Sequence, residues 1–449
     1  MRSLSSTLLA AQKAGGQPLY KAVFTEPGLT RTYGCDTTNR ILYMRHPEEE
    51  WSQQATILVD NREGNLTSDD LTGNTCTISY GYKTSAGDEY SAAAPLEVIT
   101  GKQDTLLRPY VDLLKAFAAK GVFDFMAEDE ASEDYAPADG NTDTIKTILT
   151  AIALATMACF SHCKSYSITF DSEDSLIDTF KTADYFRVGF KESRLEAFKK
   201  ALVLTRCKAR IEADGAIHVF DISANTAPHY ISGTTYNYEY DDVVSGHNFF
   251  EKSVRNRLVI PNRVYVSSHP DHSPQYTGSA NDSASYIALG RYMDEFHHYR
   301  VTSNAQCVLI AAAFLQTYQI GMEKGHGYAP LNCGQEVIDY IKITDSIAGD
   351  TVTGNIGYLN RICQPGKFDF EFRLGSLKFT DVSGLTDIAS KAAETGYQRD
   401  PWENIDAIWN TLNYLGTHLI YLRKDIDFLK AREKVSKWHV EDQMIIPVE

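Results

Sequence analysis

The 449-residue chain carries no CxxC pair, no long apolar run and no excess of basic residues, and each absence excludes a class of function. Its eight cysteines (35, 76, 159, 163, 207, 307, 333 and 363) are scattered. That spacing argues against a disulfide framework and for buried thiols in a chain folded in a reducing compartment. The longest apolar stretches, around 151–160 and 308–315, are too short to cross a bilayer, which takes roughly 20 apolar residues. Met1-Arg2-Ser3 leads into a short mixed helix rather than an apolar signal core, so cytoplasmic synthesis without a membrane anchor is expected. Lys and Arg total 43 against 59 Asp and Glu, giving a net charge of −16. A surface that grips nucleic acid needs clustered Lys and Arg, so none is expected here. GxSxG, HExxH, P-loop and GxGxxG patterns are missing, as are repeats and low-complexity tracts. No cofactor is implied.

Candidate metal ligands are few. Cys159 and Cys163 lie four apart with His162 beside them, but no second pair completes a zinc site, and buried thiols are the favoured reading. His269-Pro270-Asp271-His272 offers two imidazoles and a carboxylate without a distal ligand. His297 and His298 are adjacent and diverge on any regular element. Residues 124–143 hold eight acidic residues and no basic one, yet lack the carboxylate order and central glycine of an EF-hand. A solvated excursion is expected there.

What the chain does have is a long apolar seam near its end. Ile405, Ile408, Leu412, Leu415, Leu419, Leu422, Ile426 and Leu429 recur at spacings of three and four over four heptads. This is the pattern of supercoiling helices, and it marks these eight as oligomerisation residues. Asp400, Pro401 and Glu403 form a helix start, and about 36 residues would span roughly 50 Å. Tyr414, Tyr421 and Phe428 form a second ridge opposite the seam, expected to pack on a partner. The mixed Ile and Leu core permits two, three or four strands.

Length allows about three domains. A helical arm (1–16) precedes a β-rich segment (17–105) with strands at Leu19–Phe24, Arg40–Met44, Ala55–Val59, Thr75–Tyr82 and Leu96–Ile99. An α+β segment (106–265) begins with a helix over Tyr110–Gly121 and includes the acidic loop. It continues with a buried helix over 142–160, a strand at Tyr185–Phe190, a Ser193–Glu196 capping box, and a hairpin turning at Asp214-Gly215. Residues 266–382 combine the helix Asn304–Ile320 with further strands, and 383–449 form the terminal helix and tail. Short, evenly spaced strands predict barrels or sandwiches.

The order of segments from about 50 to 380 resembles the hub proteins of bacteriophage tail tips. The likeness rests on Trp51 followed by Ala55–Asn61, Asp69–Gly73 and Ile78–Tyr82; on the unit 142–170 leading to 193–219; on Pro261–Val266; and on Gly334, Ile338–Tyr340 and Ile343–Asp345 with Gly354 and Gly357. The resemblance implies a mainly β, α+β chain with tail-tube-like β-barrel domains, flanking helices and a long C-terminal coiled coil. It implies a non-enzymatic homotrimer in the virion that joins the hexameric tail tube to the tip and lines the DNA exit channel. Implied partners are the tail-tube or distal tail protein, a tip fibre or spike protein, and the tape-measure protein, without sequence-specific DNA binding. A distal tail or fibre-attachment protein, and a receptor-binding or cell-wall-degrading module, remain alternatives.

Overall fold

A computed structural model describes residues 1–375, apart from 27, 36–39, 62–65, 67–69, 103–113, 138–141, 182–185, 223–235, 243–245, 250, 257–258, 269–272, 300 and 322. Helix α1 (Ser6–Lys13) opens the chain, followed by strands β1 (Pro18–Glu26), β2 (Leu29–Gly34), β3 (Ile41–Glu49) and β4 (Ser52–Asp60). Next come β5 (Thr75–Thr84), β6 (Gly87–Ala92), β7 (Leu96–Lys102) and β8 (Leu114–Lys120). The middle holds α2 (Val122–Glu128), α3 (Ile145–Ala153), β9 (Ile168–Phe170), α4 (Ser175–Thr179), α5 (Arg194–Leu202), β10 (Cys207–Ile211) and β11 (Ile217–Asp221). Then follow β12 (Tyr238–Asp241), β13 (Glu251–Asn256), β14 (Arg263–Ser268), β15 (Thr277–Asn281), α6 (Ser283–Leu289), β16 (Asp294–Tyr299) and α7 (Asn304–Ile320). Strands β17 (Glu323–Ala329), β18 (Tyr340–Asp345), β19 (Asp350–Gln364) and β20 (Lys367–Leu374) close the described part.

The result is a mixed α+β fold with more strand than helix, and it corrects the expected barrels. Among the described residues no sheet closes. The large sheet runs open as β13-β17-β20-β19-β3-β4-β8-β7-β5-β1-β2, with β6 beside β5 and β12 reached through β18 from β19. The reason lies at β3. Its outer edge, which barrel closure of the N-terminal strands would use, is taken by β19, with Tyr358 opposite Glu49 and Cys363 opposite Met44. Early and late strands therefore share one sheet. Two three-stranded sheets, β10-β11-β9 and β15-β14-β16, stand apart from it. The long coiled coil is likewise not found: the longest helix among the described residues is α7, at 17 residues. The heptad stretch itself lies outside the described residues.

Local chemistry explains most elements. The Ser5 hydroxyl accepts from the Leu8 N–H to cap α1, Thr144 caps α3 and Ser303 caps α7. Helix α7 is the one expected over Asn304–Ile320, and it packs on β14 and β15. The β10–β11 hairpin turns at Gly215 (φ +82°), as the Asp-Gly pair requires. The helix expected over 110–121 is instead β8, in which Lys115, Phe117 and Ala119 are buried in alternation. Leucine, alanine and lysine favour a helix, but pairing with β4 and β7 on both sides overrides that preference. Of the strand expected at Tyr185–Phe190, among the described residues 186–190 only Val188 pairs, through a single bridge to Tyr135.

Three cores result. One unites α2–α5, the β10-β11-β9 sheet and the α7 layer. A second lies mainly among the N-terminal strands and takes in Leu8, Leu331, Cys333 and Cys363. The third gathers Phe220, Tyr240, Ile341, Phe370 and Phe372.

Candidate functional site

The eight seam residues and the ridge Tyr414, Tyr421 and Phe428 lie outside the described residues, as do His269–His272. Polar chemistry among the described residues converges elsewhere, on Leu331–Tyr340 (LNCGQEVIDY), which contributes to the second and third cores.

The N-terminal arm docks on this segment of its own chain. The Arg2 backbone N–H donates to Gly334 O (2.8 Å), and Arg2 Nη2 donates to Cys333 O (2.6 Å). A Cβ at position 334 would stand 3.0 Å from both Arg2 O and Leu4 Cγ, so glycine permits this close approach. Deeper in, Gln12 Nε2 donates to the Tyr238 hydroxyl (2.8 Å), and Gln12 Oε1 accepts from the Cys333 N–H (3.1 Å). Asn332 Nδ2 donates to the Tyr240 hydroxyl (3.0 Å).

Two buried histidines flank the segment. His247 Nε2 lies 3.0 Å from Pro330 O, which can only accept, so Nε2 carries the proton and Nδ1 accepts from Tyr238 OH at 2.6 Å. Burial lowers His247 to about 4. His46, fully buried with Nδ1 2.8 Å from Tyr80 OH, is also lowered to about 4 by burial, although Glu48 pulls the other way.

Charged groups join the parts. From the middle hairpin, Arg210 Nη1 reaches Asp339 Oδ1 (3.2 Å), while Nε and Nη2 grip Glu212 Oε1 (3.0 and 2.8 Å). The Met1 amine pairs with Asp339 and lies 3.4 Å from Glu336. Arg361 of β19 donates to Glu48 Oε1 of β3 (2.5 Å) and to Gln335 O (2.5 Å), with its guanidinium 4.8 Å from the Tyr80 ring centre. Burial pushes the Asp339 carboxyl up. At Glu336 burial acts in the same sense, but Arg210 and the Met1 amine outweigh it and hold the carboxyl down. Glu48 is held down by Arg361 against its own burial. Such buried pairs gain little net stability but penalise any arrangement that separates them. Ile338, in the middle, has φ +72°, a strained value for a β-branched residue.

Beyond Arg210 the network surfaces at Asp171, Glu212 and His218, whose donor atoms lie within 4.8 Å of one another. His218 Nδ1 is 2.9 Å from Asp171 Oδ2, and Nε2 is 3.0 Å from Asp214 Oδ2. Burial would lower this imidazole, but the bonds to Asp171 and Asp214 outweigh it and raise its pKa. No motif announces this group, because its members come from three separate elements. Only Asp214, as a turn residue, was singled out by sequence. The eight cysteines are free thiols, and Cys163 Sγ lies 3.5 Å from His162 Nε2 and also bonds to Asp129.

The acidic stretch is only partly solvated. Asp124 accepts from Ser52 Oγ and the Gln53 N–H, and Asp129 from Arg194 Nη1. The Ser193–Glu196 capping box does not form: the Ser193 hydroxyl donates to Met126 O. Arg194 has the larger role. Fully buried, it donates to Ile152 O, Ala153 O and Lys164 O, satisfying the carbonyl end of α3.

With this architecture in place, the chain resembles a solved tail protein in fold. The tail protein of Neisseria meningitidis MC58 superposes with a TM-score of 0.52 at 8% identity, covering 80% of this chain and 97% of its own. The 43 kDa tail protein of prophage MuSo2 from Shewanella oneidensis gives 0.48 at 11% identity, over 79% and 98% of the two chains. Prophage tail protein gp18 of Listeria monocytogenes gives 0.47 at 10% identity, over 83% and 98%. No protein-family model and no curated protein sequence matches the chain.

Proposed function

We propose that this chain is a structural hub protein of a phage tail tip. In this reading three copies form a ring that joins the tail tube to the tip or its fibres and surrounds the path of the exiting DNA. The observation that carries the proposal is the fold shared with the Neisseria tail protein over 80% of the chain. The net charge of −16 supports it, since an acidic wall repels a passing polyanion. The ionic junction adds further support, because it ties arm, hairpin and late strands into one geometry, as a load-transmitting ring requires. Its partners are two sister chains, the tail-tube or distal tail protein, a tip fibre or spike protein and the tape-measure protein, and it works without catalysis.

Negative-stain microscopy of virions labelled with antibody against this chain tests the placement. Label at the tail tip is expected, and label on the head or tube shaft overturns the reading. Light scattering of the purified chain, alone or with tube protein, should give a trimer. A cleared zone in a cell-wall zymogram would contradict the non-enzymatic role.

A further inference from the structure

We propose that Asp171, Glu212 and His218 form a binding site for a divalent transition-metal ion of the zinc class, at one end of the β10-β11-β9 sheet. Asp171 directly follows β9, Glu212 directly follows β10 and His218 is the second residue of β11, and they bring two carboxylates and one imidazole together. That donor set balances a doubly charged ion, and an imidazole ligand selects zinc-like metals over calcium or magnesium.

The spacing fits. Zinc takes nitrogen and oxygen ligands at about 2.0–2.2 Å, so tetrahedral neighbours stand roughly 3.3–3.5 Å apart. His218 Nδ1 is 2.9 Å from Asp171 Oδ2 and 3.9 Å from Glu212 Oε2, values that bracket this range. All three donor atoms lie within 4.8 Å of one another, so side-chain adjustment would bring them onto one ion, with water in the fourth place.

The surroundings already hold two of the three ligands, Glu212 and His218, as a metal site does. Arg210 occupies Glu212 Oε1 and leaves Oε2 for the ion. Asp214 Oδ2 faces His218 Nε2, and its Oδ1 accepts from the Ala216 N–H (2.9 Å). A carboxylate on the far ring nitrogen is the usual outer support of a metal-bound histidine, because it keeps the proton on Nε2 and points the Nδ1 lone pair at the ion. Asp171 and Glu212 are 34% and 28% exposed, so the ion reaches the site from solvent. Bound there, it would staple β9 to the hairpin that carries Arg210 into the buried junction.

The test uses the full chain, stripped with a chelator and titrated with zinc chloride by calorimetry, with cobalt absorption as a second readout. One ion per chain at micromolar affinity is expected, with an oxygen- and nitrogen-type cobalt spectrum. His218→Gln and the exposed-side Asp171→Asn should each abolish that binding, with circular dichroism verifying the fold. Asp214→Asn should weaken it about 10- to 100-fold. The proposal fails if zinc does not bind below millimolar concentration or binds both variants as it binds the parent. The first outcome would leave His218 as an imidazolium bridging two aspartates. Sulfur-to-cobalt charge-transfer bands would also overturn it, by placing the metal on the cysteines.

Discussion

Arg361 and Glu48 are both buried and face each other across β19 and β3, so removing one strands the other in a medium that solvates it poorly. Arg361→Ala should therefore cost about 3–5 kcal/mol in urea unfolding, whereas Arg361→Met combined with Glu48→Gln should recover most of that loss. The buried histidines set a pH dependence. His46 and His247 have native pKa values lowered to about 4 from 6.5. As pH falls through 6.5 the unfolded chain takes up these protons while the native chain does not, so stability is complete above 6.5 and lost between 6.5 and 4. Each histidine contributes roughly 3 kcal/mol to that loss, at about 1.4 kcal/mol per unit. Melting followed from pH 8 to 4 should show the decline, and His46→Gln should remove about half of it. A further loss follows at lower pH, where Glu48 and Glu336, held below the ordinary carboxylate value, finally protonate. None of these roles was legible in the sequence. A histidine or arginine looks the same whether its strand neighbours are solvent or, as here, β19 and β3 brought together from more than 300 positions apart.

Among the elements, those governed by local chemistry were the ones read correctly from sequence. Helix α7, the β10–β11 hairpin and strands β1, β3, β4 and β5 carry their own caps, turn residues and periodicity. Strands β2 and β6 carry no alternating apolar signal in the sequence, because most of their residues stay exposed or half-exposed. Strand β8 was mistaken for a helix because its partners, not its propensity, decide its form. The end of α3 shows the same dependence. Its last carbonyls, Ile152 O and Ala153 O, accept from Arg194 as well as from a backbone N–H each, and Arg194 opens a helix that starts 41 residues beyond the α3 end. Arg194→Ala removes the charged donor that Ile152 O, Ala153 O and Lys164 O share with Asp129, and should cost about 3 kcal/mol in thermal or urea unfolding. Arg194→Lys, with fewer donors in a different geometry, should recover only part.

Across the described molecule, the junction at Leu331–Tyr340 couples segments that are distant in sequence. Arg210→Ala should loosen both sides of it, which hydrogen exchange would register as faster exchange in peptides covering 207–221 and 331–345 together. Faster exchange confined to the hairpin would show that the junction does not transmit. By itself the sequence determined the mixed α+β character with more strand than helix, the scattered thiols and the acidic balance. These follow from composition and from short-range patterning, which act on residues a few positions apart. The tertiary structure alone decided that the early strands join the late ones in an open sheet instead of closing into a barrel. It also decided that the arm docks on its own chain, and that Asp171, Glu212 and His218 meet. Strand-edge pairing and the solvation of buried charge depend on which surfaces become neighbours, and no local pattern encodes that.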